Sequence, residues 1–321
     1  MQIKVRLFYC LLSILLIGGW SKATTHDKLP DTQSLIKHNH PVPVNTISTS
    51  DIEPLSVHNP TNVKRVESIL SYSDWDYLFP KRNKKYTYTL FLQAIGRFPN
   101  ICQNYHDGRD ADAICRRILA TLFSHLVIDT GVKSKQWHIT EWRLGLAKLR
   151  EIKWTKHINY LNEYIKRSIS VNTVNINTNI DNSNIPYLHF FQTVFHPIGN
   201  EFFSSAMING AWLELTYAMY LISNNKANNT SIIEIIDGSW KPTEIDRKRG
   251  LTSGFGITTQ IINGDKECNR NIETSASLRR IYNFRSFSSY LNVPIDKHEN
   301  LGCKILLNSH NSHNEFTEAN W

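Results

Sequence analysis

The segment Gly254-Phe-Gly-Ile-Thr-Thr-Gln-Ile-Ile-Asn-Gly-Asp-Lys-Glu-Cys268 gathers amide, hydroxyl and carboxylate groups into an apolar run of fifteen residues. Three glycines, an Ile-Ile pair and an Asn-Gly turn in so short a stretch suggest an element lining a polar cleft. Acid/base chemistry in such a cleft needs two carboxyl groups, one protonated donor and one base that positions water. The chain holds 28 Asp and Glu residues, most of them expected to be solvated surface groups, and pattern alone does not choose among them. Metal chemistry is not signalled by the cysteines, among which no CxxC is present.

The elements that must position such groups are mostly helical. Ile114, Ile118, Leu119, Leu122, Phe123, Leu126 and Val127 recur at three- and four-residue spacing and predict the clearest helix of the chain. Asp110 is its candidate N-cap, and Gly131 its stop, just beyond Asp129 and Thr130. Residues 86–99 predict a short helix ending at Phe98-Pro99. A second helical stretch is expected over Glu141–Leu149, and residues 202–223 are apolar enough for a core helix. Residues 170–184, rich in Asn, Thr, Ser and Val without a period, read as a surface loop. Strand signals are few, so the expected architecture is mainly α with irregular loops.

Lys4 and Arg6, an apolar run from Leu7 to Ile17, and Ser21-Lys22-Ala23 read as a secretory signal, residues 1–23. The run is short of the ~20 residues a membrane span needs. Cleavage removes Lys4, Arg6 and Lys22 and no acidic residue, taking the formal charge from +8 to +5. This mild basic excess lacks a Lys/Arg block, so nucleic acid is not an expected partner. Residues 24–66 are polar and hold Pro41, Pro43, Pro54 and Pro60; they read as a disordered spacer, with order beginning near Val66. The tail, 304–321, is polar. Asn228-Asn229-Thr230-Ser231 contains two overlapping glycosylation sequons. Once the signal, with Cys10, is gone, Cys102, Cys115, Cys268 and Cys303 remain. An even number in a secreted chain implies disulfides, with three pairings open, Cys102–Cys115 with Cys268–Cys303 being the most local.

The 254–268 segment closely resembles the GFG-x-TT-x-IING-x-x-EC signature of glycoside hydrolase family 19, the chitinases. The resemblance extends over 67–303. It shows in Tyr86-Thr-Tyr-Thr-Leu-Phe-Leu92, Phe98-Pro-Asn-Ile-Cys102, Asp107-Gly-Arg-Asp-Ala-Asp-Ala-Ile-Cys-Arg116, Glu141-Trp-Arg-Leu-Gly-Leu146 and Asp237-Gly-Ser-Trp-Lys-Pro242. It implies a mainly α, lysozyme-like domain with a deep cleft, and inverting hydrolysis of β-1,4-linked N-acetylglucosamine polymers without a cofactor. It also agrees with the local disulfide pairing. The implied protein is a secreted monomer whose partner is chitin or a related glycan.

By the same resemblance Asp129, in Ile128-Asp-Thr-Gly131, stands where the family has a glutamate as general acid, and Glu151 matches the general base. Asn263 implies contact with an N-acetyl group, Glu267 and Arg280 a supporting pair, and Trp240 an aromatic face for a sugar. Three departures lie at the centre. Aspartate is one methylene shorter than glutamate, and a misplacement of about 1 Å costs about 100-fold in rate. The family's Gly-Arg-Gly is missing from Tyr187–His196, where Gln192 is kept, His196 replaces an asparagine, and Phe190 and Phe191 add bulk. Two readings follow: a chitinase with an adjusted cleft, or a glycan-binding or structural relative with the cleft plugged by Phe190 and Phe191.

Overall fold

A computed structural model describes residues 43–45, 49–132, 138–149, 190, 194, 210–224, 230–248, 250–268 and 270–304. All of them fall in the unit His40–Trp321. The expectations for Glu151, Gln192, Phe191, His196, Asn228, Asn229, the 170–184 loop, the signal 1–23 and the tail from 305 onward lie outside the described residues.

Nine α-helices are described: α1 Thr61–Ile69, α2 Tyr72–Leu78, α3 Tyr88–Arg97, α4 Ala111–Thr130, α5 Gly210–Ser223, α6 Ile232–Ile236, α7 Glu244–Lys248, α8 Phe255–Glu267 and α9 Ser275–Tyr290. No strand occurs among the described residues, so the mainly α expectation holds. The central element is α4. The Asp110 carboxylate accepts from the amides of Asp112 and Ala113 and caps its N-terminus, satisfying donors that the first turn leaves unpaired. Its long apolar stripe, from Ile118 to Val127, is buried. Gly131 caps the other end with φ −78° and ψ 169°, so the helix stops by extending the chain and not by a left-handed turn.

Around α4 the core is aromatic. Trp75 of α2 stacks on Phe91 of α3 at 4.7 Å and meets Phe79 edge-on at 4.8 Å. Phe79 meets Phe123 of α4 at 5.2 Å, and Phe123 meets Phe287 of α9 at 5.5 Å. Ring pairs in such geometries add about 0.5–1.5 kcal/mol each beyond their buried area, and the chain of contacts locks α9 along α4. Phe190 belongs to this core too, edge-on to Tyr217 and Tyr220 of α5 at 5.2 and 5.4 Å.

Two expectations are corrected. Glu141–Leu149 is not a helix: one 3-10 turn, Glu141–Arg143, is followed by a turn at 145–146 and irregular chain. Leu146 takes φ +58°, and residues 144–148 hydrogen-bond along the end of α4 instead of to themselves. Leu144 O accepts from Val132 N at 3.2 Å, Lys148 N donates to Thr130 O at 2.9 Å, and Leu146 N donates to Thr130 Oγ1 at 2.8 Å. Tertiary pairing overrides a local helical preference here.

Order also begins before Val66. α1 starts at Thr61, and Ile52 is buried. Ile52 lies on Gly96, where any Cβ would collide with its Cδ1. The segment is anchored by polar groups. Asn62 Nδ2 donates to the carbonyls of Ile95 and Phe98 at 3.1 and 3.2 Å, satisfying the orphan acceptors at the end of α3. Arg65 Nη1 donates to the Cys102 and Gln103 carbonyls at 2.8 and 3.0 Å. Arg97, fully buried, donates to the carbonyls of Asn45 and Val194; burial lowers its pKa to about 10. Both disulfides form as the most local pairing: Cys102–Cys115 and Cys268–Cys303.

Candidate active site

Three helices converge on one guanidinium. α4 brings His125 and Asp129, one turn apart and therefore on one face. α8 brings Thr258, Asn263 and Glu267, and α9 brings Arg280. α8 starts where it does because Gly254, at φ +142°, and Gly256 let the chain close on residues 300–302. A Cβ at Gly254 would lie 2.6 Å from Asn300 O, and one at Gly256 would collide with Gly302 O. The Cys268–Cys303 bond then holds the far end of α8 to the same strip of chain.

Every N–H of the Arg280 guanidinium has an acceptor. Nε donates to Glu267 Oε2 at 2.8 Å and Nη2 to Glu267 Oε1 at 2.7 Å, a two-pronged pair. Nη2 also reaches Asp129 Oδ1 at 3.3 Å. Nη1 faces His125 Nδ1 at 3.1 Å and the His125 carbonyl at 3.4 Å. The other ring nitrogen of His125 lies 3.0 Å from Thr258 Oγ1, and the ring stacks on Phe255 at 5.2 Å.

Burial separates the two carboxylates. The Glu267 side chain is 6% exposed and that of Arg280 1%, whereas that of Asp129 is 44% exposed. Asp129 is therefore the member of the cluster that a ligand in solvent reaches. Burial pushes the Glu267 carboxyl up, but hydrogen bonds and charge from Arg280, with a bond from Asn263, outweigh it and hold Glu267 below the usual carboxylate range. Burial pulls Arg280 down, and Glu267 and Asp129 more than reverse this. Burial, and then the Arg280 charge, keep His125 well below the ordinary histidine value.

Asn263 is not in a turn outside the helix, as its Asn-Gly context suggested. It sits within α8 at a kink, φ −150° and ψ 37°, and its Nδ2 donates to Glu267 Oε1 at 2.5 Å. Four residues expected at the site thus come together: Asp129, Asn263, Glu267 and Arg280. Trp240 stands apart. It follows α6, half-buried against the core, its backbone N–H bonded to Glu234 O at 2.9 Å. No described contact joins it to the cluster. His125 was missed in the sequence, where a lone histidine on an apolar helix face reads as core; its position one turn before Asp129 was the available signal. No group of three or more His, Cys, Asp and Glu side chains suited to a metal occurs among the described residues.

The helical domain thus turns a solvent-facing carboxylate toward a buried Arg–Glu pair, where a polar ligand can reach it. The chain belongs to glycoside hydrolase family 19, whose model, described as chitinase class I, matches residues 66–303. Among curated relatives, an acidic endochitinase of Solanum chilense is 38% identical over 76 residues, covering 24% of this chain and 29% of that protein. An acidic 26 kDa endochitinase of Solanum lycopersicum is 35% identical over 86 residues, 27% of this chain and 33% of that protein. The chain thus spans about a third of the length of these relatives. Among solved structures, chitinase C from Streptomyces griseus is 16% identical at TM-score 0.38, over 73% of this chain and 80% of that one.

Proposed function

We propose that this chain is a secreted, monomeric chitinase that hydrolyses β-1,4-linked N-acetylglucosamine polymers with inversion at the anomeric carbon, Asp129 acting as general acid and Glu151 as general base. The observation that carries this reading is the Asp129–Arg280–Glu267 arrangement, with its acid on the solvent side. Glu267 takes the two shorter bonds of Arg280 and neutralises most of its charge, leaving Asp129 the longer third one. A sugar seated over Asp129 displaces water, and that desolvation favours the protonated carboxyl an acid catalyst needs. Proton transfer to the glycosidic oxygen then leaves the carboxylate facing Arg280, which stabilises it. On the opposite side of the bond Glu151 takes a proton from the attacking water, and Gln192 and His196 hold substrate or water.

The burial of Phe190 against α5 supports an open cleft over a plugged one. Two disulfides fit an oxidising compartment reached through cleavage of residues 1–23. No described helix is long and apolar enough to cross a membrane.

One observation favours the second reading, a glycan-binding relative without turnover: the Arg280 contact at 3.3 Å favours ionised over protonated Asp129. The deciding experiment incubates the mature chain with soluble chitin hexasaccharide and follows the anomers by NMR, Asp129→Asn alongside. Release of the α-anomer by wild type and its loss in the variant support the chitinase. Absence of cleavage at high protein concentration, with ligand-induced shifts retained, overturns it in favour of the binding protein.

A further inference from the structure

His125 is a buried titratable group that the proposed mechanism does not use, and its surroundings fix the position of every proton around it. Arginine stays charged and only donates, so Arg280 Nη1, 3.1 Å away, requires His125 Nδ1 to be a bare acceptor. The proton of a neutral ring then sits on Nε2 and is donated to Thr258 Oγ1 at 3.0 Å. The Thr258 hydroxyl passes its own proton on to the Phe255 carbonyl at 2.6 Å. A directed chain of hydrogen bonds therefore runs from the guanidinium on α9 through His125 of α4 to the first turn of α8. The His125 carbonyl accepts from the same Nη1 at 3.4 Å, so one residue satisfies both of its protons.

We propose that His125 is a positioning residue for the carboxylate pair: as a neutral imidazole protonated on Nε2, it aims Arg280 so that one fork holds Glu267 and the remaining Nη2 proton points at Asp129. Three facts make the aim dependent on the ring. Arg280 is completely buried, so water does not replace a lost acceptor. The Glu267 fork uses Nε and Nη2, so Nη1 depends on His125 for both of its acceptors. The ring itself is held flat by stacking at 11° to Phe255. The groups facing it are Arg280 from α9, Thr258 and Phe255 from α8, and Asp129 one turn along α4. An imidazolium here would turn an N–H toward an N–H of a cation, so acidification does not charge this ring while the site is intact. The catalytic part of the proposal rests on the chitinase reading; the tautomer and the aim of Arg280 do not.

The test uses the full chain labelled with ¹⁵N. Long-range ¹H–¹⁵N spectra between pH 5 and 8 are expected to show His125 with a bare Nδ1 and a protonated Nε2 throughout. A protonated Nδ1 overturns the proposal. His125→Phe keeps the stacking and removes the ring acceptor; His125→Gln restores an acceptor. Exchange of the Arg280 Nε–H with solvent is expected to be slow in wild type, at least about tenfold faster in His125→Phe, and slow again in His125→Gln. Equal protection in all three overturns the positioning role whether or not the protein turns over chitin. Where wild type is active, kcat falls about 10- to 100-fold in His125→Phe with KM little changed, and recovers in His125→Gln. If His125→Phe does not fold, His125→Leu takes its place with the same expected loss of protection, and the wild-type tautomer stands as an independent test.

Discussion

Arg280 meets Asp129 Oδ1 at 3.3 Å with the same Nη2 that holds Glu267 Oε1 at 2.7 Å. Each carboxylate takes one of the two Nη2 protons, and the buried one holds its proton more closely. Through that shared nitrogen the position of Asp129 is tied to the Glu267–Arg280 pair.

Replacing Glu267 with glutamine tests that linkage. It leaves a buried guanidinium without its main counter-charge, a change that costs about 3–5 kcal/mol. Arg280 then turns toward Asp129, and hydrolysis is expected to fall by at least about 100-fold. Urea denaturation and initial rates on a soluble oligosaccharide check both effects. A variant with unchanged rate would mean that Glu267 supports only the fold.

Acid is expected to unfold the protein in two separable stages. His125 has a depressed folded pKa, so the unfolded chain binds more protons, and stability declines as pH falls below the ordinary histidine value of 6.5. Glu267 is also depressed; its contribution is complete above the ordinary glutamate value of 4.5 and is lost as pH falls through the lower folded value. Thermal midpoints measured from pH 8 to 3 are expected to slope in both windows. His125→Gln flattens the upper part and Glu267→Gln the lower. Parallel slopes in all three proteins would contradict the assignment.

Asp129→Glu returns the missing methylene and moves the carboxyl outward by about 1 Å. Where the cleft is built for the longer acid, kcat rises by about 10- to 100-fold. Where the surroundings have adjusted to aspartate, it falls. Either sign, read with Asp129→Asn as the inactive reference, shows which acid the cleft is shaped for.

Much of the site was legible because its residues lie in a continuous motif. Glu267 and Arg280 pair as the family resemblance implied, and the apolar period of α4 placed Asp129 at its end. Other features left no such trace. The N-terminal segment packs through Asn62 and Arg65, whose side chains bond to backbone carbonyls; in a sequence these residues read as polar spacer. The 144–148 stretch is non-helical because Thr130 and Val132 supply its partners, and no local pattern encodes a partner chosen by tertiary packing.

The Cys268–Cys303 bond closes a 35-residue separation, worth about 4 kcal/mol by chain entropy. Its loss in a Cys268→Ser, Cys303→Ser double variant is expected to lower the thermal midpoint. It also frees the end of α8 that carries Glu267, so hydrolysis should decline at temperatures where the circular dichroism is still native. Simultaneous loss of both signals would show that the bond acts on global stability alone.

Ile52→Ala tests the early start of the fold. Truncating a buried isoleucine costs about 2–5 kcal/mol, whereas the same change in a disordered spacer costs nothing measurable. Chemical denaturation distinguishes the two outcomes directly.

The contact between Ile52 and Gly96 also ties the history of two distant positions together. A side chain at residue 96 meets the terminal methyl of Ile52, which must swing aside to admit it, and a smaller residue at 52 leaves a gap that a side chain at 96 can enter. A change at either position is therefore eased by a change at the other, although residue 52 precedes the matched family region and residue 96 lies inside it. A segment that similarity leaves outside the domain is thus bound to it by inheritance as well as by packing.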